Sequence, residues 1–518
     1  MRLLTPCLVA AAVAGGYGCG SSGDAPAPTA WTAGTFQPAS TFVAQCATPR
    51  TGTDPTTGKA YPDKPGSTVA ENNWLRSWTH DLYLWYREVP DTNPALSSTA
   101  DYFNALKTPA TTPSGNPKDK FHFTYATTQW VALSQSGVEA GYGAQWVLIS
   151  SRPPRQVVVA YTEPNSPATA PPANLARGAQ VLTVDGVDLV NANDSASVDK
   201  LNAGLFPPAP GVSHSFSILD LGASTPRTVT MVATNVTSTP VQNVETINRS
   251  GTVGYMLFND HIATAEPQLV SAFSQLQGAG VSDLVLDIRY NGGGYLDIAS
   301  EVAYMIAGPG PTAGKGFEKT LFNDKYPTTD PVAGGTLTPV PFHNTTQGFS
   351  GPKDQPLPTL NLSRVFVLTS PNTCSASEAI INGLRGVGVQ VIQIGTTTCG
   401  KPYGFYPQDN CGTTYFSIEF QGVNAQGFGD YPDGFSPANT VSSPGVAVPG
   451  CSVGDDFSRG LGDPAEGRLA AALAYRADQS CPVAAASSSD PEMMARGASA
   501  TDGLAPKSPW RENRIYRR

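Results

Sequence analysis

The spacing of apolar positions divides the chain into three textures. From Glu71 onward, NNWLRSWTHDLYLWYREV sets Trp74, Leu75, Trp78, Leu82, Leu84 and Trp85 at roughly helical spacing, and DYFNALKT continues the stripe. Such a stripe can line a ligand cage, but a helix face packed into a core is the commoner use. Residues 70–137 therefore read as a small N-terminal helical domain. Between 138 and 237 the pattern shortens to strands and turns, in GVEAGYGAQWVLIS, VVVAYTEPNSPATAPPANLARGAQVLTVDGV, HSFSILD and RTVTMVAT. From 238 to 482 strands alternate with helices: GTVGYMLFND, EPQLVSAFSQLQGAG, SDLVLDIRYNGGG, YLDIASEVAYMIAG, RVFVLTS, SASEAIINGLRGV, VQVIQIGT and TTYFSIEF. That alternation predicts an α/β core with a largely parallel, buried sheet and crossovers on its faces. Functional atoms in such folds gather at the carboxyl ends of the strands, where YNGGG and SPNTCSAS both fall.

Composition narrows the class. Only 14% of the 518 residues are charged, the net charge is −9, and 52 glycines and 46 prolines are present. This suits a secreted, loop-rich globular protein and argues against a nucleic-acid partner. Basic residues cluster near the end of 483–518, which reads as a disordered tail. Residues 1–19 read as an export signal, with Arg2, the apolar stretch Leu8–Ala14 and small residues after it. Cys19 before Gly-Ser-Ser-Gly resembles the acylated cysteine of a bacterial lipoprotein, although Gly16 stands where such signals usually have leucine. The expected location is the periplasm or cell envelope, with an outer-membrane lipid anchor because Gly20 replaces a retaining aspartate. Residues 20–69 read as a flexible tether.

Six cysteines remain besides Cys7 and Cys19, an even number suited to three disulfides, with fifteen connectivities open. The expected pairs are Cys399–Cys411, Cys451–Cys481 and, by remainder, Cys46–Cys374. No spacing is that of a zinc site, and His80, His122, His214, His261 and His343 are scattered, so neither metal nor cofactor is expected.

In the second texture, Pro-Asn-Ser-Pro-Ala joined to Ala-Arg-Gly-Ala-Gln-Val-Leu-Thr-Val-Asp-Gly-Val resembles a PDZ domain, with Ala179 at the usual acidic position. The resemblance implies that Gly141, Tyr142, Gly143 and Ala144 form a carboxylate-binding loop. Its amides would hold a peptide C-terminus beside an exposed strand edge.

The chemistry turns on three stretches. Ser375 with Glu378 spells the capping box S-x-x-E, and the same serine, between a strand and a helix, is a candidate nucleophile. Asp287-Ile-Arg-Tyr-Asn291-Gly-Gly-Gly matches neither a dinucleotide fingerprint nor a Walker loop, leaving an oxyanion-donor turn or a plain tight turn. Lys401, just past the next strand, is either a solvated loop lysine or the base that a hydroxyl nucleophile requires. Acting near neutrality, a lysine of ordinary pKa about 10.4 must fall by roughly two to three units.

Together, DIRYNGGG, T-x-SASE about eighty residues later and G-T-x-x-x-GK beyond it resemble the C-terminal processing, or tail-specific, serine peptidases with a Ser–Lys dyad. The likeness extends over about 70–475, to LGDPAEGRLAAALAYR. It implies Ser375 as nucleophile, Lys401 as general base, and the amides of Ala376 and of the Gly292–Gly293 turn as oxyanion hole. It implies peptides or unfolded proteins as partners and leaves the oligomeric state open. Two departures stand out: Phe405 replaces the glutamine that often follows the lysine by four, with Gln408 the candidate substitute, and Cys374 and Cys399 flank both catalytic positions. The competing readings are a non-catalytic binding protein that keeps the fold, and a Ser–His hydrolase using His261 or His343.

Overall fold

The computed structural model describes residues 31–55, 57–150, 152–482 and 492–493. The export signal, Cys19 and most of the C-terminal tail lie outside these residues. Helix α1 (Thr68–Leu82) opens where Ser67 caps it by accepting from the Ala70 N–H at 3.2 Å. Its stripe buries Trp74, Leu75 and Trp78 against Tyr102 and Phe103 of the short helix Thr99–Ala105, as the spacing predicts. Tyr415, from far down the chain, completes that cluster. The strand Phe123–Ala126 also pairs antiparallel with Thr413–Phe416, so the N-terminal region is laid onto the core.

The tether expected over 20–69 is not loose from residue 31 on. Arg76 binds Asp91 at 2.5 Å and the carbonyls of Thr32 and Thr35, Phe36 stacks on His80, and a disulfide joins buried Cys46 to Cys411. Residues too polar to show an apolar period are held here by ion-pair, ring and covalent contacts.

The insert, residues 138–237, builds an antiparallel sheet whose strands run Arg227–Val232, Ser213–Leu219, Gln180–Val184, Gln156–Thr162 and Ala144–Ser150 in spatial order. Glu492–Met493 pairs antiparallel with the edge strand Ala144–Ser150. The helix Ser195–Leu205, capped by Asp194, closes the insert's own core of Val157, Val159, Val181, Leu201 and Phe216.

The core sheet has six strands in sequence order: β1 (Val241–Asn248), β2 (Thr252–Phe258), β3 (Asp283–Asp287), β4 (Arg364–Thr369), β5 (Gln390–Gly395) and β6 (Gly450–Ser452). The sheet is mixed: β1 and β2 run antiparallel, and the pairings from β2 through β6 are parallel. Alternate side chains part to the two faces. Met256, Phe258, Leu284, Leu286, Val365 and Val367 pack under α2 (Ala265–Gly278), α3 (Leu296–Ala307) and α4 (Ala376–Gly386). Tyr255, Leu257, Val285, Phe366 and Leu368 meet α5 (Gly467–Asp478) on the other side. A sheet covered twice reads as continuous apolar runs, and every residue of β3 is buried. Among the described residues no helix is long and apolar enough to cross a membrane.

Candidate active site

Strands β3, β4 and β5 are parallel neighbours, so the loops leaving their carboxyl ends are adjacent. Asp287 pairs with Leu368, and Thr369 with Gly395. These loops carry the glycine turn, Ser375 and Lys401 respectively.

Ser375 sits directly before α4 with φ 63° and ψ −116°. A non-glycine residue held there stores about 1–3 kcal/mol, the kind of sharp strand-to-helix turn that presents a nucleophile. Its side chain is buried, and Oγ makes no hydrogen bond among the described residues. The glutamate half of the capping box is made, because the Ser375 N–H donates to Glu378 Oε2 at 2.9 Å.

Glu378 does more than cap. The same Oε2 accepts from the Lys401 N–H at 2.8 Å, while Oε1 accepts from the Gly400 N–H at 2.9 Å and from the Thr398 hydroxyl. One carboxylate oxygen thus ties the backbone of Ser375 to that of Lys401. Burial raises the Glu378 pKa, and the four donors offset part of that rise. A disulfide between Cys374 and Cys399, with Cα atoms 5.1 Å apart, makes the same tie covalently. The Cys451–Cys481 pair is as expected; the other two expected pairs are exchanged for Cys46–Cys411 and Cys374–Cys399. Short sequence distance was the wrong guide. Parallel β4 and β5 bring the loops of Cys374 and Cys399 together, and the Ala44 N–H donates to Asn410 Oδ1, seating the lead-in beside Cys411.

Lys401 is fully buried, with Nζ 4.4 Å from the Phe405 ring and 4.7 Å from that of Phe121. The residue four after the lysine therefore packs its ring on Nζ. Gln408 stands in the strand Gln408–Asn410 of a separate three-stranded sheet, opposite Tyr415. Phe121 belongs to the N-terminal region, and nothing in its local sequence signals that role.

The glycine turn lies against the serine. At Gly293, φ is 108°, and a Cβ there would stand 2.8 Å from Ser375 Cβ and 3.0 Å from the Ala376 nitrogen. The Gly293 N–H is engaged by Asn291 Oδ1 at 3.0 Å, whereas the Gly292 and Ala376 amides make no hydrogen bond among the described residues. Of the turn's two expected donors, Gly292 is the open one.

Behind the turn runs a buried ionic network. Arg289 pairs with Asp287 (2.9 Å), Glu466 (2.7 Å) and Asp455 (2.7 Å). Arg177, from the insert, reaches Asp455 at 2.7 Å and the Tyr290 hydroxyl at 2.6 Å. Burial alone would raise the Asp455 pKa, but Arg177, Arg289 and Arg468 bring it far below the ordinary carboxylate range. The insert's Gly141, Tyr142, Gly143 and Ala144 lie elsewhere. Tyr142 is buried with its hydroxyl on the Gly204 carbonyl, and the carbonyls of Tyr142 and Gly143 accept from Ala168 and Glu163. His343 is committed to Asp297 at 2.7 Å. Among the described residues neither His261 Nε2 nor Ser375 Oγ has a hydrogen-bond partner, so the two are not bonded to each other.

Residues 252–405, which hold the glycine turn, Ser375 and Lys401, match Peptidase family S41, and residues 70–125 match the Peptidase S41 N-terminal domain. Two stretches of the chain are thus similar to S41 peptidase domains. A carboxyl-terminal-processing protease of Picosynechococcus sp. is 29% identical over 174 residues, 33% of this chain and 40% of that protein. One of the same description from Synechocystis sp. is 29% identical over 127 residues, 24% of this chain and 29% of that protein. The chain thus aligns with well under half the length of either relative. The crystal structure of an S41-type protein from Bacteroides fragilis superposes with a TM-score of 0.57 at 24% identity, covering 80% of this chain and 98% of that one. That likeness supports an S41 fold across the domains described.

Proposed function

We propose that the protein is an exported serine endopeptidase that cleaves peptides or unfolded protein segments near their C-termini through an acyl-enzyme. The observation that carries this reading is the strained, buried Ser375 with an unpartnered Oγ, tied through Glu378 to the loop of buried Lys401. Ser375 Oγ attacks the scissile carbonyl carbon, and Lys401 Nζ takes the hydroxyl proton and passes it to the leaving amine. Negative charge gathering on the carbonyl oxygen is received by the Ala376 N–H, at the positive end of α4, and by the Gly292 N–H. Water then hydrolyses the ester, with Lys401 again as base. Phe405 and Phe121 hold the amine in place of the family's glutamine.

The insert serves as a PDZ-like module that takes an extended peptide along the strand Ala144–Ser150, whose edge accepts a further strand. Export with a lipid anchor at Cys19 is part of the proposal, and three disulfides among the described residues favour an oxidising compartment.

The test is hydrolysis of casein, with chelator present, by residues 20–518 and by the Ser375→Ala and Lys401→Ala variants. Loss of cleavage in both, with melting temperatures kept, is the expected result. An inert parent chain turns the reading toward a binding protein, and cleavage that survives Ser375→Ala overturns the mechanism.

A further inference from the structure

His261 is fully buried at the end of β2 and has no part in the dyad. Its main chain grips the glycine turn from both sides: its N–H donates to the Gly293 carbonyl at 3.2 Å, and its carbonyl accepts from the Tyr295 N–H at 2.8 Å. The contact is close enough that a Cβ on Gly294 would stand 2.5 Å from the His261 oxygen. The imidazole makes a third link, with Nδ1 3.0 Å from Asn291 Oδ1.

The orientation of Asn291 is settled by its other contacts. Its Nδ2 donates to the Phe258 carbonyl at 3.0 Å, and its Oδ1 accepts from the Gly293 N–H at 3.0 Å. An amide oxygen only accepts, so His261 carries its proton on Nδ1 and leaves Nε2 as a bare acceptor. Burial lowers the ring's pKa to about 3, which keeps it neutral and in that tautomer. Asn291 is also fastened to the nucleophile's loop: its carbonyl accepts from the Cys374 N–H at 3.1 Å and from the Ser377 hydroxyl at 3.0 Å.

Three successive glycines have no side chains with which to fix their own conformation. An oxyanion donor works only if its direction is set before charge develops. We infer that His261 is a positioning residue: through Nδ1–H on Asn291 Oδ1 it locks the Gly292–Gly293 turn against the loop of Ser375. It touches neither substrate nor the reacting atoms, and it replaces neither Lys401 nor Ser375. The inference rests on the peptidase reading above and extends it to the part that holds the hole open.

The two ring nitrogens can be separated by substitution. In His261→Asn the side-chain NH2 lies near the place of Nδ1, whereas in His261→Gln it lies near that of Nε2. Both are neutral and smaller than or similar to imidazole. The measurement is the rate at which Ser375 is phosphonylated by an alkyl fluorophosphonate, in which the Oγ–P bond forms, P–F breaks, and HF departs. Peptide kcat and KM are read beside it. Removal of an oxyanion donor costs about 10²–10³ in rate, and a donor left in place but loosened costs less, on the order of tenfold to a hundredfold. His261→Gln is expected to lose that much in phosphonylation and kcat, with KM within about twofold, while His261→Asn stays near the parent. Equal rates for Asn and Gln, whether both fast or both slow, would overturn the inference, as would a loss confined to KM. A parent chain that does not react with the phosphonate at all would sink the peptidase reading instead.

Discussion

The loop of Ser375 and the turn of Gly292–Gly294 begin alike. Each leaves the carboxyl end of a buried parallel strand, and each leads into a helix of the same face. They are held by opposite means. The serine loop supplies its own fastenings: Glu378 three residues on, the Thr373 hydroxyl on the Ile288 carbonyl, and a disulfide at Cys374. The glycine turn supplies almost none and borrows them from Asn291, His261 and the Arg289 network behind it. A serine at φ 63° must be strained into place, which takes side chains. A turn packed this closely on Ser375 leaves no room for them.

The sharpest way to break the comparison is Gly293→Ala. The new methyl would stand 2.8 Å from Ser375 Cβ at a φ of 108°. We expect a stability loss of about 1–3 kcal/mol, read by urea unfolding, and a fall in kcat of at least about a hundredfold. An active Gly293→Ala protein would mean that the turn is not packed on the serine as described.

A smaller catalytic effect is expected from the serine side, because Glu378 duplicates the disulfide. Replacing Cys374 and Cys399 together by alanine removes a cross-link spanning 25 residues. By loop entropy this costs about 3.5 kcal/mol of stability. The fall in kcat should stay within about tenfold, since both backbone amides still reach Glu378. A larger kinetic loss than that of Gly293→Ala would reverse the order argued here.

The last effect leaves the rate alone and bears on stability, through pH. Unfolded histidine binds a proton below about 6.5, whereas His261 in the folded chain does so only below about 3. Unfolding therefore takes up a proton between these values, and stability falls as the pH drops through that window. The slope is at most about 1.4 kcal/mol per unit for one group. His261→Asn should flatten the stability curve between pH 6 and 4. Buried Glu318 works the other way: burial raises its pKa to about 8, so its contribution is lost as pH rises from about 4.5 to 8. Glu318→Gln should leave the acid limb unchanged and lift the alkaline one.

What could be read from the chain follows the same division. Ser375 announces itself because a β-branched run, a turn and S-x-x-E are all local, and the order of strands and helices places Lys401 next door. The apolar stripe of α1 was legible for the same reason, through Trp74 and Trp78. Long-range partners left no trace: Phe121 on the lysine, Arg177 on Tyr290, and Cys46 with Cys411 are joined only by the fold. Glu378 was visible as a cap, yet its grip on the Lys401 loop required knowing that β4 and β5 are neighbours. Four of the six cysteines misled because the short interval from Cys399 to Cys411 looks like proximity until a parallel sheet sets the distances.

The Cys46–Cys411 bond closes a stretch of 365 residues into a covalent ring. Every surface loop from the lead-in to the hairpin after Lys401 lies inside that ring, including the whole insert. A single nick in any of them, by any peptidase, opens the ring without shedding a fragment. Such a molecule would run as two pieces on a reducing gel and as one on a non-reducing gel, and it would enter further rounds of cutting with its parts still in register.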